Sequence, residues 1–288
     1  MSQSQSKRVV LIAGPTASGK SALALEIAEK EGGVIINADS MQVYRELRVL
    51  TARPSAGDES RAPHKLYGYA AASRTYSVAR WQQDAMKEIE AALEHGRTPI
   101  LVGGTGLYFM SLLKGLAEVP EIPAEVRERW RHFQGDLHSE LVKRDPARAM
   151  KVHPSDRQRL IRALEVIDAT GASLGEWHDR ANAEAPLKDF EVQRYFKDVP
   201  REELYTRAEA RFDHMLKQGA LEEVRALPAL DKNQPLMKAI GVPELLSHLR
   251  GEMSLEEAAV QAKTATRNYI KRQLTWWRGQ MQDWERVE

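Results

Sequence analysis

The apolar positions of this chain form short solid runs near its start and periodic stripes between and after them. RVVLIAG, residues 8–14, is a β-branched run ending in glycine; in the KSALALEIAEKEG that follows, Ala22, Leu25 and Ala28 recur at helical spacing before a glycine pair. The pattern predicts a buried strand, a glycine-rich turn and a helix. A second run, GVIINADS, ends at a carboxylate. A third, TPILVGGTG, ends at another glycine-rich turn and follows the helical stretch SVARWQQDAMKEIEAALEHG. Strand, helix, strand, helix predicts a parallel α/β sheet, in which ligands gather at the carboxyl ends of the strands.

From Pro120 the character changes. EVPEIPAEVRERWRHF is punctuated by proline and then helical, and nothing up to Ala183 has the pattern of a strand. DFEVQRYFKDVP predicts one strand returning to the sheet, with helices from there to the end. The fold class read from the pattern is α/β, a P-loop-type parallel sheet core carrying a helical insertion domain. Its boundaries are residues 1–119 for the first part of the core, 120–186 for the insertion and 187–288 for the mostly helical remainder.

Composition narrows the function classes. With 288 residues, 42% of them hydrophobic, the chain can bury a sizeable core. Lysine and arginine number 42 against 41 acidic residues, so no global field marks a nucleic-acid partner and any RNA-binding surface has to be local. Cysteine is absent, which excludes disulfides, thiolate catalysis and thiolate-held metals. The eight histidines show no ligand spacing, and no zinc is expected. The polar start leads into an apolar run at residues 9–13, too short for a signal segment or a membrane span. A cytoplasmic chain with no membrane contact is expected.

Gly14, Gly19, Lys20 and Ser21 fit G-x-x-x-x-G-K-[ST], with Pro15, Thr16, Ala17 and Ser18 between the glycines. In such a loop the backbone amides and a helix N-terminus cradle phosphate oxygens, the lysine adds charge, and the hydroxyl, here Ser21, ligates Mg²⁺. Loops of this kind usually hold ATP or GTP. Phosphoryl-transfer enzymes, however, place an acidic residue at the end of a later strand, where this chain has ILVGG. The carboxylate comes instead at Asp39, after the strand that directly follows the first helix. An anhydride held by the loop with a base facing a second substrate describes group transfer as well as phosphoryl transfer. Asp39 and Ser40 equally suit a helix cap or a turn.

Six blocks carry a resemblance: GPTASGKS at 14–21, DSMQVY at 39–44, GGTGLY at 103–108, HPSDRQRLIRALEV at 153–166, KAIGVPEL at 238–245 and RNYIKRQLTWWR at 267–278. In this order they resemble the signatures of the tRNA dimethylallyltransferases. The resemblance implies transfer of a dimethylallyl group from dimethylallyl diphosphate to N6 of the adenosine at tRNA position 37, beside the anticodon, with Mg²⁺ and release of diphosphate. It implies that the loop holds the diphosphate of the donor, that Asp39 is the general base, and that Thr105 sits near the donor's bridging oxygen. The residues it implies for tRNA contact are Asp39, Ser40, Met41, Gln42, Thr105, Arg127, Gln158, Arg159, Leu160, Ile161 and Arg162. Gln42 is expected to read the base edge, and the insertion to clamp the anticodon stem-loop. A monomer is expected.

Helical spacing alone places Arg159 and Arg162 beside an apolar stripe of Leu160, Leu164 and Ile167, and this also describes a solvated face with an Asp156–Arg159 pair. In the last block Ile270, Leu274 and Trp277 form the expected buried stripe, with Arg267, Lys271 and Arg278 on a neighbouring face. Arg53 and Lys65 stand where the family usually has lysine and histidine, so contacts there are expected to differ in detail. The competing readings are a prenyltransferase for free adenine nucleotides, a P-loop small-molecule kinase and a non-catalytic RNA-binding module.

Overall fold

A computed structural model describes residues 7–73, 76–231 and 234–288, and for Asn182 and Ala183 the backbone alone. The first six residues of the polar start lie outside the described residues. The chain forms two compact units, Met1–Phe109 with Asp189–Glu288, and Met110–Lys188. The second begins ten residues earlier than the sequence pattern suggests, because the chain leaves the first unit inside a helix and not at Pro120. Among the described residues no helix is long and apolar enough to cross a membrane.

The first unit opens with strand β1 (Arg8–Ala13), helix α1 (Lys20–Glu31) and strand β2 (Val34–Asn37). Helix α2 (Ala56–Arg61) and the two-residue strand β3 (His64–Lys65) follow, then helix α3 (Val78–Glu94) and strand β4 (Pro99–Gly103). Helix α4 (Gly106–Lys114) leads out of the unit.

The second unit holds α5 (Ala124–Arg131), α6 (Leu137–Arg144), α7 (Pro146–Ala149), α8 (Arg157–Thr170) and α9 (Leu174–Ala183). Its core gathers Val126, Trp130, Leu141, Leu160 and Leu164. Asp168 accepts the Trp130 indole N–H at 2.8 Å and pairs with Arg129 and Arg144, so two of the unit's arginines are structural.

Back in the first unit come strand β5 (Glu191–Lys197), helices α10 (Arg201–Lys217) and α11 (Ala220–Arg225), and a 3-10 turn (Pro235–Lys238). Helix α12 (Val242–Leu249), the long α13 (Leu255–Gln280) and strand β6 (Glu285–Val287) complete it. The six strands run parallel in the order β3-β2-β4-β1-β5-β6. β1 is central and almost wholly buried, as a parallel strand covered on both faces has to be. Its successors go to opposite sides, β2 beyond β4 and β5 beside β1, so a switch point lies at its carboxyl end.

The sequence pattern anticipates β1, β2, β4 and β5 but neither edge strand. β3 and β6 are two and three residues long, too short for alternation to register. The expectation of helix to the chain end is corrected by β6, which pairs Tyr195, Phe196 and Lys197 of β5 with Glu285, Arg286 and Val287.

Candidate active site

Residues 14–21 leave the end of β1 at the switch point and turn into α1. Gly19 has φ 87°, in the left-handed region open to glycine, and Ala17 is also left-handed at φ 64°. Gly19 occupies the cap position of α1 and no side chain caps the helix, so its first amides remain available to an anion. Ser18 is fully buried and its hydroxyl has no protein partner among the described residues. Lys20 Nζ reaches back to the Pro15 carbonyl at 3.3 Å. Burial pushes this lysine down to about 8; Asp39 opposes that shift and Arg211 adds to it.

Asp39 lies two residues beyond β2 and is held by Asn37, which is buried. The Asn37 carboxamide oxygen accepts the Asp39 N–H at 2.9 Å, and its nitrogen donates to the carbonyls of Asp39 at 2.9 Å and Leu66 at 3.1 Å. Trp81 of α3 donates its indole N–H to the Asn37 carbonyl at 2.8 Å. Asp39 Oδ1 accepts the Met41 N–H at 2.9 Å, which leaves Oδ2 outside that turn. The turn expected as the structural alternative for Asp39 is therefore present, and it aims the second oxygen.

Thr105 follows β4. Its hydroxyl accepts the Ser40 N–H at 3.0 Å and donates to Ser40 Oγ at 3.3 Å. A Cβ on Gly103 would overlap the Ala38 carbonyl, so glycine lets the ends of β2 and β4 close on each other. The fold thus brings together, at the carboxyl ends of β1, β2 and β4, the loop 14–21, Asp39, Ser40 and Thr105. Gln42 has its amide nitrogen committed to the carbonyls of Thr51 at 2.8 Å and Ala52 at 3.1 Å, tying down that loop.

A cavity of about 280 Å³ opens beside these groups, lined by Thr16, Asp39, Ser40 and Met41 together with side chains from α10, α13 and the 3-10 turn. Arg211, Lys238 and Arg272 bring positive charge to it, and Leu50, Phe212, Met215 and Ile240 form an apolar wall. Arg211 donates to Thr16 Oγ1. Burial lowers its pKa, and the nearby Asp39 opposes that shift. Tyr269 and Tyr67 are pushed upward, by burial first and then by the Asp39 charge, so both phenols stay neutral. Gln273 is buried and touches both glycine loops: its oxygen accepts the Thr16 N–H at 3.0 Å and its nitrogen donates to the Gly104 carbonyl at 3.0 Å.

Sequence reading did not single out Arg211 or Gln273, although the signal was there. Arg211 lies seven residues from Leu204 and three from Ala208 on the buried face of α10, and Gln273 stands within the stripe Ile270, Leu274, Trp277 of α13. A polar side chain on an apolar stripe has to be paired or functional.

In the second unit, α8 displays Gln158, Arg159 and Arg162 to solvent. Arg159 pairs with Asp156 at 3.2 Å, a largely exposed contact worth about 0–1 kcal/mol, and Arg162 reaches the buried Glu165 at 3.9 Å from an exposed position. Leu160 is 1% exposed in the unit's core, and Ile161, partly exposed, packs against that core. Arg127 is half-buried on α5.

On α13, Trp277 is buried as the stripe predicts, and Arg267 is taken up by Glu209. Trp276, off the stripe, packs where a Cβ on Gly106 would have to lie. Arg53 turns inward and donates to the Tyr44 carbonyl at 3.3 Å, while Lys65 faces Glu88 at 3.7 Å.

Comparison with known proteins places this geometry. Residues 42–280 match the family model described as IPP transferase. A tRNA dimethylallyltransferase of Azorhizobium caulinodans is 52% identical over 284 residues, covering 96% of this chain and 91% of that protein. One from Nitrobacter hamburgensis is 53% identical over 279 residues, covering 94% and 88%. Among solved structures, the tRNA isopentenylpyrophosphate transferase of Bacillus halodurans superposes with a TM-score of 0.70 at 33% identity, covering 98% of this chain and 89% of that one. A eukaryotic dimethylallyltransferase acting on tRNA gives a TM-score of 0.80 at 30% identity, covering 94% and 70%.

Proposed function

This chain belongs to the IPP transferase family, the tRNA dimethylallyltransferases, and we propose that it moves the dimethylallyl group of dimethylallyl diphosphate onto N6 of the adenosine at tRNA position 37. It is a prenyl-transferring enzyme of tRNA, and the loop 14–21 holds the group that leaves. The observation that carries this reading is the meeting, around one cavity, of Thr16 of that loop and Arg211 with Asp39 and Ser40.

The free amides at the start of α1, Lys20 and Arg211 neutralise the charge that gathers on the diphosphate as its C–O bond breaks. The bond's electrons go to the departing oxygen, beside which the Thr105 hydroxyl lies. The adenine N6 is a weak nucleophile because its lone pair is delocalised into the ring. It forms the new C–N bond while the free oxygen of Asp39 takes its proton, which later passes to solvent. A positioned base of this kind contributes about 10²–10⁴-fold. The neutral Tyr67 and Tyr269 add no competing negative charge near Asp39.

Ser21 is exposed in the first turn of α1, where its hydroxyl fits Mg²⁺ and would hold it together with diphosphate oxygens and water. When bound, the ion supplies charge neutralisation to the diphosphate.

In the second unit, Arg127 of α5 and Gln158, Arg159 and Arg162 of α8 contact the backbone of the anticodon stem-loop, Arg159 exchanging its exposed Asp156 partner for phosphate. The target adenosine is turned out of its loop to reach Asp39.

The test is incubation with unmodified tRNA, free AMP and labelled dimethylallyl diphosphate, followed by nucleoside analysis, with a parallel reaction on ATP. Label in the tRNA nucleoside fraction is the expected result. Label confined to AMP, or rapid ATP turnover without a prenyl donor, overturns the reading.

A further inference from the structure

In the proposed reading the donor's diphosphate sits in the glycine loop after β1, while Asp39 beyond β2 and Thr105 in the glycine loop after β4 face the reacting atoms. Transfer requires those atoms to approach within about 3–3.5 Å, and a misplacement of about 1 Å costs about 10²-fold. Parallel pairing of β1 and β4 ends at Ala13 and Gly103, before either loop begins. The spacing of the loops has to be set by something else.

Gln273 spans that gap. Among the described residues it joins the two loops directly, from a side chain 6% exposed. Its orientation is fixed by its partners: an N–H at Thr16 requires the amide oxygen, and a carbonyl at Gly104 requires the amide nitrogen. Both ends lead to working groups. Thr16 also receives Arg211 on its hydroxyl. Gly104 lies between Gly103, closed on Ala38, and Thr105, bonded to Ser40. A Cβ at Gly104 would come within 2.6 Å of the Gln273 nitrogen, so a side chain there would displace the amide from its place. Trp276, one turn further along α13, packs on Gly106 and keeps the helix against the same loop.

We propose that Gln273 is a positioning residue for the transfer step, setting the distance between the donor's cradle and the Asp39–Thr105 pair through hydrogen bonds to Thr16 and Gly104. The role rests on the reading that loop 14–21 holds the donor and that Asp39 serves the acceptor. Gln273 reaches no substrate itself, so it governs the rate of the bound complex and not tRNA affinity.

Gln273→Glu gives a signature that a merely structural role would not produce. The ionised carboxylate still accepts from Thr16 but sets an acceptor against the Gly104 carbonyl. Once protonated, it donates to Gly104 and has nearly the shape of the amide. Burial raises the pKa of such a carboxyl, so protonation comes within an accessible range. Tyr269, which hydrogen-bonds Gln273 and is held neutral by burial and the Asp39 charge, does not titrate in this range.

The experiment measures single-turnover transfer from dimethylallyl diphosphate to unmodified tRNA, and tRNA affinity, for the wild type, Gln273→Glu and Gln273→Leu. The expected loss of rate in both variants is about 10- to 100-fold near neutral pH with tRNA affinity unchanged. The rate of Gln273→Glu relative to wild type should rise several-fold as pH is lowered from about 8 to about 5.5, while the ratio for Gln273→Leu stays flat. Wild-type rates in the leucine variant, or an unvarying ratio for a folded glutamate variant, overturn the inference. If circular dichroism shows the glutamate variant unfolded, the leucine variant decides alone: a slow rate with intact tRNA affinity supports the role, and a wild-type rate ends it. Failure of the wild type to transfer at all would overturn the functional reading itself, a result distinguishable from wild-type transfer that the variants leave unaltered.

Discussion

The proposed role of Asp39 depends on the atoms that hold it. Asn37 and the Met41 amide occupy its backbone and one oxygen, which leaves the other outside the turn. Asp39→Asn keeps the turn and removes the base, so transfer should fall by about 10²–10⁴-fold while binding of both substrates persists; a near-normal single-turnover rate would remove Asp39 from the role. Lys20 gives a pH prediction. With its pKa lowered to about 8, the side chain in the free protein loses its proton as pH rises through that value. A bound diphosphate favours the charged form and raises the pKa again. Diphosphate binding should therefore take up close to one proton above pH about 8 and weaken as pH climbs, which calorimetry in buffers of different ionisation heat will detect. At Gly103 the issue is space: Gly103→Ala drives a Cβ into the Ala38 backbone and should lower stability by about 1–3 kcal/mol, measured by urea unfolding.

At the scale of elements, α8 and α13 show how far a helical pattern can be read. Of the stripe Leu160, Leu164 and Ile167 of α8 the first two are buried and Ile167 is partly exposed near the helix end, while the stripe Ile270, Leu274, Trp277 of α13 is buried throughout. What spacing cannot tell is which arginine is spoken for. Arg129 and Arg144 meet Asp168, Arg267 meets Glu209, and only the fold brings these partners together across the sequence. Arg159 and Arg162 have local partners on their own helix and remain on its exposed side. Reversing both to glutamate should weaken tRNA binding and reduce its dependence on salt by about one to two units of slope, with AMP and diphosphate binding unaffected. Filter binding at several salt concentrations checks this, and unchanged affinity would take the tRNA away from α8.

At the scale of the molecule, the end of the chain belongs to the sheet. β6 adds to β5, and Trp284 just before it packs edge-on against Phe109 at 5.5 Å and near Trp277 at 6.2 Å. Trp284→Ala should cost about 3–5 kcal/mol in unfolding measurements, a large effect for a residue five from the terminus. The sequence by itself determined the elements whose signal is local. These are the four apolar strands, the loop 14–21 with its motif, the carboxylate at Asp39 and the amphipathic helices, because strand runs, helix period and turn chemistry depend on near neighbours. Only the tertiary structure decided the strand order, the edge strands β3 and β6, and the arrival of Arg211 and Gln273 at the cradle from residues far along the chain. Those outcomes depend on contacts between segments about 30 to 260 residues apart, from β2 with β3 to Thr16 with Gln273, and no short-range pattern encodes which distant side chain will close a buried hydrogen bond.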